Sequence, residues 1–255
     1  MKYSSRRIAK FFGWILALAL PMLTLAAAAA RSGIEAPSAK VRLNLAGTWA
    51  MPEEGVYRSY SACCDGPGTE APFTPKYRKI RDAFAKLPEN VPEKTVNNVS
   101  RCISAGVPGT FEHTLLFEFL LTPGRVNLIF ADGSFRRIWT DGRSFPATLT
   151  PRIQGYSIGH WEGKTLVVET RGISNKSDIF VEGPIKATAK TKVTERITVE
   201  SGKTLRMHTV VEDPEIFTRP YSYDTTFLKV PMSFEVHCAG NNRDNSHQQV
   251  DLTPK

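Results

Sequence analysis

Apolar and polar positions alternate with period two through most of the second half of this chain. A strand turns successive side chains to opposite faces, so the alternation predicts strands over 113–121, 125–130, 135–140, 154–161, 164–170, 191–200, 203–212, 221–230 and 233–238. Tight-turn pairs punctuate them: Asp132-Gly133, Asp141-Gly142, Glu162-Gly163 and Ser201-Gly202. Glycine reaches the positive φ that hairpin turns need, so the expected fold is all-β, an antiparallel up-and-down meander closing into a barrel or sandwich. About eight such strands close around an interior wide enough for side chains or one small ligand.

Before the strands the pattern changes. Tyr77, Ile80, Phe84 and Leu87 recur at helical spacing and Pro88 stops them, which predicts one short amphipathic helix near 76–87, with Lys76, Arg78, Lys79, Arg81 and Lys86 on its wet face. Residues 64–75 and 88–109 read as long irregular connections. The interruption at 171–190, with Asn175, Asp178 and Gly183-Pro184, reads as a mouth or lid.

The first 30 residues read as an export signal. Lys2, Arg6, Arg7 and Lys10 precede an apolar stretch that ends in alanines at 26–30, a small-residue cleavage rule. Ser5-Arg6-Arg7 also matches the start of a twin-arginine signal, so the export route stays open. The expected mature chain is a single domain, 31–255, periplasmic or secreted, with no later membrane span. Without those four basic residues the 33 Lys+Arg fall to 29 against 25 Asp+Glu, and the formal charge drops from +8 to +4. That mild balance, without a like-charge run or nucleic-acid motif, points to a solvated surface and no nucleic-acid partner.

All four cysteines, Cys63, Cys64, Cys102 and Cys238, lie in the exported part, where an oxidising compartment favours disulfides. Three connectivities exist. Cys102–Cys238 is preferred, because it pins the segment before the barrel to the last strand and closes a loop worth roughly 4–5 kcal/mol of chain entropy. No CxxC or HxxxH spacing supports zinc, and no metal or other cofactor is expected.

Candidate chemistry is sparse. Tyr156 and His160 lie an even number of residues apart and so share one face of an unbroken strand, where they form a candidate proton donor and acceptor in an apolar cavity. Asp141 and Arg143 form a candidate charge pair at the barrel mouth. In 193–199 the alternation puts Glu195 on the apolar side with Val193, Ile197 and Val199. A buried carboxylate is costly unless paired, and Arg137, with Phe135 and Trp139 on its face, is the expected partner. Arg137, Trp139, Arg143 and Tyr223 are the expected ligand-lining residues. The same residues also serve turn and packing duty alone. No Rossmann, P-loop, Gly-x-Ser-x-Gly or metal-hydrolase motif is present.

Several motifs together resemble a known family. Leu45-Ala46-Gly47-Thr48-Trp49 is similar to the Gly-x-Trp opening of lipocalin-type barrels. TDGR at 140–143, SIGHWEGKTLVVET at 157–170, ER at 195–196, DP at 213–214 and HCAGNNR at 237–243 resemble a family of exported, largely uncharacterised bacterial lipocalin-like proteins. The likeness implies a lipocalin-like barrel in which the tryptophan plugs one end. The chain departs from that pattern at Phe145 and Tyr156, where the family commonly carries histidines, and at Lys164, where an aspartate is usual. The leading expectation is a barrel that binds a small apolar or aromatic molecule. A cofactor-independent isomerase, lyase or hydratase using Tyr156, His160, Glu195 or Asp141 is the alternative, and an envelope interaction protein with a filled barrel is the third.

Overall fold

The structure is a computed structural model that describes residues 44–52, 71–95, 98, 101–113, 116–180 and 183–231. The chain divides into two units, Met1–Gly33 and Ile34–Lys255, and every described residue belongs to the second. The expected export signal, the strand at 233–238 and three of the four cysteines lie outside the described residues. Cys102 is described, with φ at +56°, and does not stand free.

Nine strands form a closed barrel in chain order: β1 (Gly47–Ala50), β2 (Leu116–Thr122), β3 (Arg125–Phe130), β4 (Phe135–Trp139), β5 (Tyr156–Glu162), β6 (Thr165–Arg171), β7 (Lys192–Val199), β8 (Thr204–Glu212) and β9 (Tyr221–Lys229). Among the described residues, three helices precede β2: α1 (Pro75–Ala85), α2 (Pro92–Thr95) and α3 (Thr110–His113). The alternation therefore marks real strands, and residue 113, expected to begin a strand, instead ends the single turn of α3.

Parity decides the one departure from a pure meander. Each antiparallel pairing reverses strand direction, and nine reversals around a closed ring cannot return to the starting direction. An odd number of parallel junctions is required, and here it is one. β4 and β5 run parallel, joined only at Ile138↔Ser157 and Trp139↔Ile158. Asp141-Gly142 consequently opens a crossover instead of closing a hairpin, whereas Asp132-Gly133, Glu162-Gly163 and Ser201-Gly202 close hairpins as expected. Gly159 lets this thin seam pack, since a Cβ there would come within 2.8 Å of Ile138 Cγ2.

The interior holds two apolar clusters. The first gathers Trp49, Phe111, Phe117, Phe119, Phe130, Leu128, Ile138, Leu166, Ile197, Met207 and Phe227. Phe111, from α3, meets Phe117 and Phe130 edge-on at 5.2 Å each. Phe117 meets Phe227 edge-on at 4.8 Å. Each buried ring of this kind contributes roughly 2–3 kcal/mol of transfer free energy. The second cluster is built mostly from connections: Phe73, Val107, Ile173, Ile179, Phe180, Ile185, Ile216 and Phe217, packed on Val193, Val211 and Tyr221. The predicted mouth at 171–190 is thus a roof, and its apolar side chains face inward.

Along β7 the second cluster ends at Val193 and the first begins at Ile197; along β8 the corresponding positions are Val211 and Met207. Glu195 and Thr209 lie between. The expected helix is present as α1, but it buries no side chain completely: Tyr77 packs on the second cluster and Ile80 is exposed. Among the described residues no helix is long and apolar enough to cross a membrane.

Candidate functional site

Glu195 points inward, as its alternation requires, but its partner is Arg136. The guanidinium grips both carboxylate oxygens, Nη1 to Oε1 at 2.8 Å and Nη2 to Oε2 at 2.5 Å, with both residues about 1 % exposed or less. Arg136 also donates to Ser157 Oγ at 3.2 Å and Thr170 Oγ1 at 2.8 Å, and those two hydroxyls share a bond at 2.9 Å. Cross-strand register explains the choice of arginine. Leu128 pairs with Arg136 and Val126 with Ile138, and opposed residues of an antiparallel pair share a face. Burying the apolar positions of β3 therefore turns Arg136 and Ile138 inward and sends Phe135, Arg137 and Trp139 outward. Glu195 thus sits in a fully buried ion pair inside the barrel, both oxygens held by one guanidinium.

Most of the other sequence-predicted residues meet on the outer wall. A parallel junction forces the chain to run back from the end of β4 to the start of β5, and this return strap is fastened by arginine–aromatic contacts. Arg143 lies 3.5 Å from the Trp139 ring centroid and closes a bidentate pair with Asp141, Nη2 to Oδ2 at 2.5 Å. Bonds from Arg143 hold the Asp141 carboxyl below its ordinary range, and bonds to Asp141 and then Tyr156 raise the guanidinium further. Phe145 packs on Tyr156 at 6.0 Å, and Arg171 lies over the Phe145 ring at 4.6 Å. The two positions where the resembling family carries histidine are therefore neighbours. Arg137 stacks on Phe135 and Trp139 at 5.6 and 5.3 Å.

Tyr156 and His160 share a face, but it is the outer one. Ser157 and Gly159, between them, face inward. Four residues of strand place the pair about 13 Å apart, too far to act on one reacting centre. His160 is instead 3.1 Å from Glu162, which also takes a bond from Arg196 at 2.7 Å. Tyr223 lies on the inner wall, ring to ring with Tyr221 at 5.5 Å. Of the four candidate catalytic groups, Asp141 and Tyr156 meet at the Arg143 guanidinium on the outer wall, while His160 lies further along β5 and Glu195 lies inside.

Alternation of strand direction places the β2–β3, β5–β6 and β7–β8 hairpins, the end of β4 and the start of β1 at one end of the barrel. Turns this short cannot cover it, and two clefts open there with Trp161 in the lining of both. One, of about 310 Å³, is lined by Leu121, Val126 and Trp161 with Thr122, Pro123, Gly124, Arg125 and Thr140. The other, of about 210 Å³, is lined by Leu45, Trp161, Ile197 and Val199 with Asn44, Lys164, Glu200 and Gly202. Trp161 was readable from the chain only as a packed strand end, and Arg125 only as the start of a strand. Neither carries a motif; the cleft exists because distant hairpin tips meet.

At the roofed end, Asp178 is a buried acid that no motif announces. Burial pushes it up to about 6 against an opposing ion pair with Lys186, and its Oδ2 has no hydrogen-bond partner. Its backbone ties the roof to the segment before α3, through Asp178 N to Ala105 O at 2.7 Å and Gly109 N to Asp178 O at 3.2 Å.

Comparison of the chain with protein-family models, curated proteins and solved structures gives no match.

Proposed function

We propose that this protein is a ligand-binding barrel, exported to the periplasm or beyond, that holds a small apolar or aromatic molecule in the cleft beside Trp161. One observation carries the reading: a 310 Å³ concavity whose floor is Leu121, Val126 and an indole, and whose rim is Thr122, Arg125 and Thr140. The cleft is half-open and about equally polar and apolar in its lining, and its volume sits at the small end of the range for small-molecule sites, roughly 300 Å³ and up. The barrel axis is taken up by phenylalanines and by the Arg136–Glu195 pair, so the ligand belongs at the end rather than on the axis. Glu195 and His160 stand apart from the Asp141–Arg143–Tyr156 group, which lies on the outer wall, and this supports binding over catalysis. Kinship with exported lipocalin-like proteins belongs to the same proposal, supported by a fully buried Trp49 whose Nε1 donates to Leu45 O at 2.9 Å.

The experiment is a titration of the purified protein with a panel of one- and two-ring aromatics, followed by intrinsic tryptophan fluorescence and by mass spectrometry of the retained fraction. The reading expects saturable quenching, and loss of retention in Thr122→Trp, which fills the rim from an exposed position. Retention unchanged in that variant would move the ligand elsewhere. A native protein that retains nothing would favour the filled-barrel reading, an envelope protein that acts through its outer wall.

A further inference from the structure

Arginines on the barrel wall are mostly spoken for. Arg136 closes on Glu195, Arg143 on Asp141, Arg171 on Glu169, Arg196 on Glu162 and Arg206 on Glu200. Arg125 is different. It borders the larger cleft from the outer face, which it shares with Thr122 and Trp139, donates Nε to Thr122 Oγ1 at 3.1 Å, and, like Arg137, meets no carboxylate among the described residues. The acid beside that rim, Asp141, packs against Gly124, but Arg143 already neutralises it. The rim therefore carries a net positive charge next to an apolar floor made by Leu121, Val126 and Trp161.

We infer that the ligand of this cleft is a small aromatic carboxylate, its ring against Trp161, Leu121 and Val126 and its acid group at Arg125. The inference rests on the cleft being the binding site. Its physical basis is twofold. Guanidinium and carboxylate form charge-assisted, bidentate hydrogen bonds, which are stronger than neutral ones and fix orientation. An aromatic ring on the far side removes apolar surface from water without burying the charge, which stays at the half-open rim. The volume fits one ring with a short acid arm.

The test compares matched probes, 3-phenylpropanoate with 3-phenylpropanol and indole-3-acetate with its amide, by calorimetry at low and at high salt, on the native protein and on Arg125→Gln. The inference expects each acid to bind about tenfold tighter than its neutral counterpart, with the preference shrinking as salt rises. In Arg125→Gln the preference for the acids over their neutral counterparts should vanish. Equal affinity for acid and neutral probes in the native protein, or an acid preference that survives Arg125→Gln, would overturn the assignment and leave the cleft as a site for neutral aromatics. Binding of neither class would overturn the cleft reading with it. Circular dichroism and the unfolding midpoint of Arg125→Gln show whether the variant keeps the native fold; Arg125→Lys, which retains charge but not the fork, should restore part of the preference.

Discussion

The two ends of the barrel use the same strands and reach opposite outcomes. At one end the β3–β4 turn is short but the other two connections are long, and residues 172–191 and 213–220 lay Ile179, Phe180, Ile185, Ile216 and Phe217 across the opening, helped by Phe73 and Val107 from the connection between β1 and β2. Phe73 and Phe217 stack at 5.6 Å, and backbone bonds run between the two segments, Thr74 N to Ile216 O and Thr218 N to Pro72 O at 2.8 Å each. At the other end the hairpins carry few residues beyond the strands themselves. Nothing in a turn such as Glu162-Gly163-Lys164 is long enough to reach the axis, so clefts remain around Trp161. Connection length, more than strand composition, decides which end of this barrel is closed and which is left for a ligand.

If the two ends form one cooperative unit, the layer between them joins them. Glu195→Ala strands the Arg136 guanidinium in the interior, and the expected loss is about 4 kcal/mol, read as a large fall in the urea midpoint. Arg136→Met combined with Glu195→Leu should recover most of it, because a pair of apolar groups needs no counter-charge. A loss below about 1 kcal/mol in Glu195→Ala would mean that the ends are held independently.

The contrast in packing should itself be measurable. Phe217→Ala removes a ring from the roof that stacks on Phe73 and Tyr221, at a cost of about 3 kcal/mol, whereas Leu121→Ala, at the edge of the cleft and only partly buried, should cost about 1 kcal/mol. Equal costs would show that the hairpin end is packed as tightly as the roof.

A further effect is a pH dependence centred on Asp178 in the roof. Burial raises Asp178 from 3.8 to about 6, so the folded protein holds this proton more tightly than the unfolded chain. Its stabilising contribution is complete below pH about 3.8, declines as pH rises through the interval to about 6, and is gone above it. The difference in unfolding free energy between the native protein and Asp178→Asn should change by roughly 1–2 kcal/mol across that interval, in this direction. A difference curve that is flat, or that slopes the other way, would place the carboxylate in a wetter setting than its burial indicates.

How much of this was legible in the chain varies by element. β3 was readable to the residue at 125–130, because Val126, Leu128 and Phe130 alternate cleanly and Gly124 and Asp132-Gly133 bracket them. β4 was readable as a strand but not as to its face. Phe-Arg-Arg-Ile-Trp offers two aromatics on one side and an arginine with an isoleucine on the other, and local hydrophobicity favours the aromatics inward. Only pairing with β3 reverses that, which is why Arg136 and not Arg137 meets Glu195. The parallel β4–β5 junction had no local signal at all, because Asp141-Gly142 is as good a start for a crossover as for a hairpin: Gly142 supplies a φ of +82° in either case. The candidate residues on the outer wall were legible as a set, yet the role that joins Trp139, Arg143, Phe145 and Tyr156, fastening the return strap, follows from that junction.

The sequence by itself determined the strand periods, most of the turns, the all-β class and the inward direction of Glu195, since these depend on nearest-neighbour sterics and on alternation within one strand. Tertiary structure alone decided which arginine that carboxylate would meet, that nine strands would close with one parallel seam, which end would be roofed, and that Leu121, Arg125, Thr140 and Trp161 would border one cleft. Each of these depends on register and closure, contacts between residues far apart in the chain, and no local pattern encodes them.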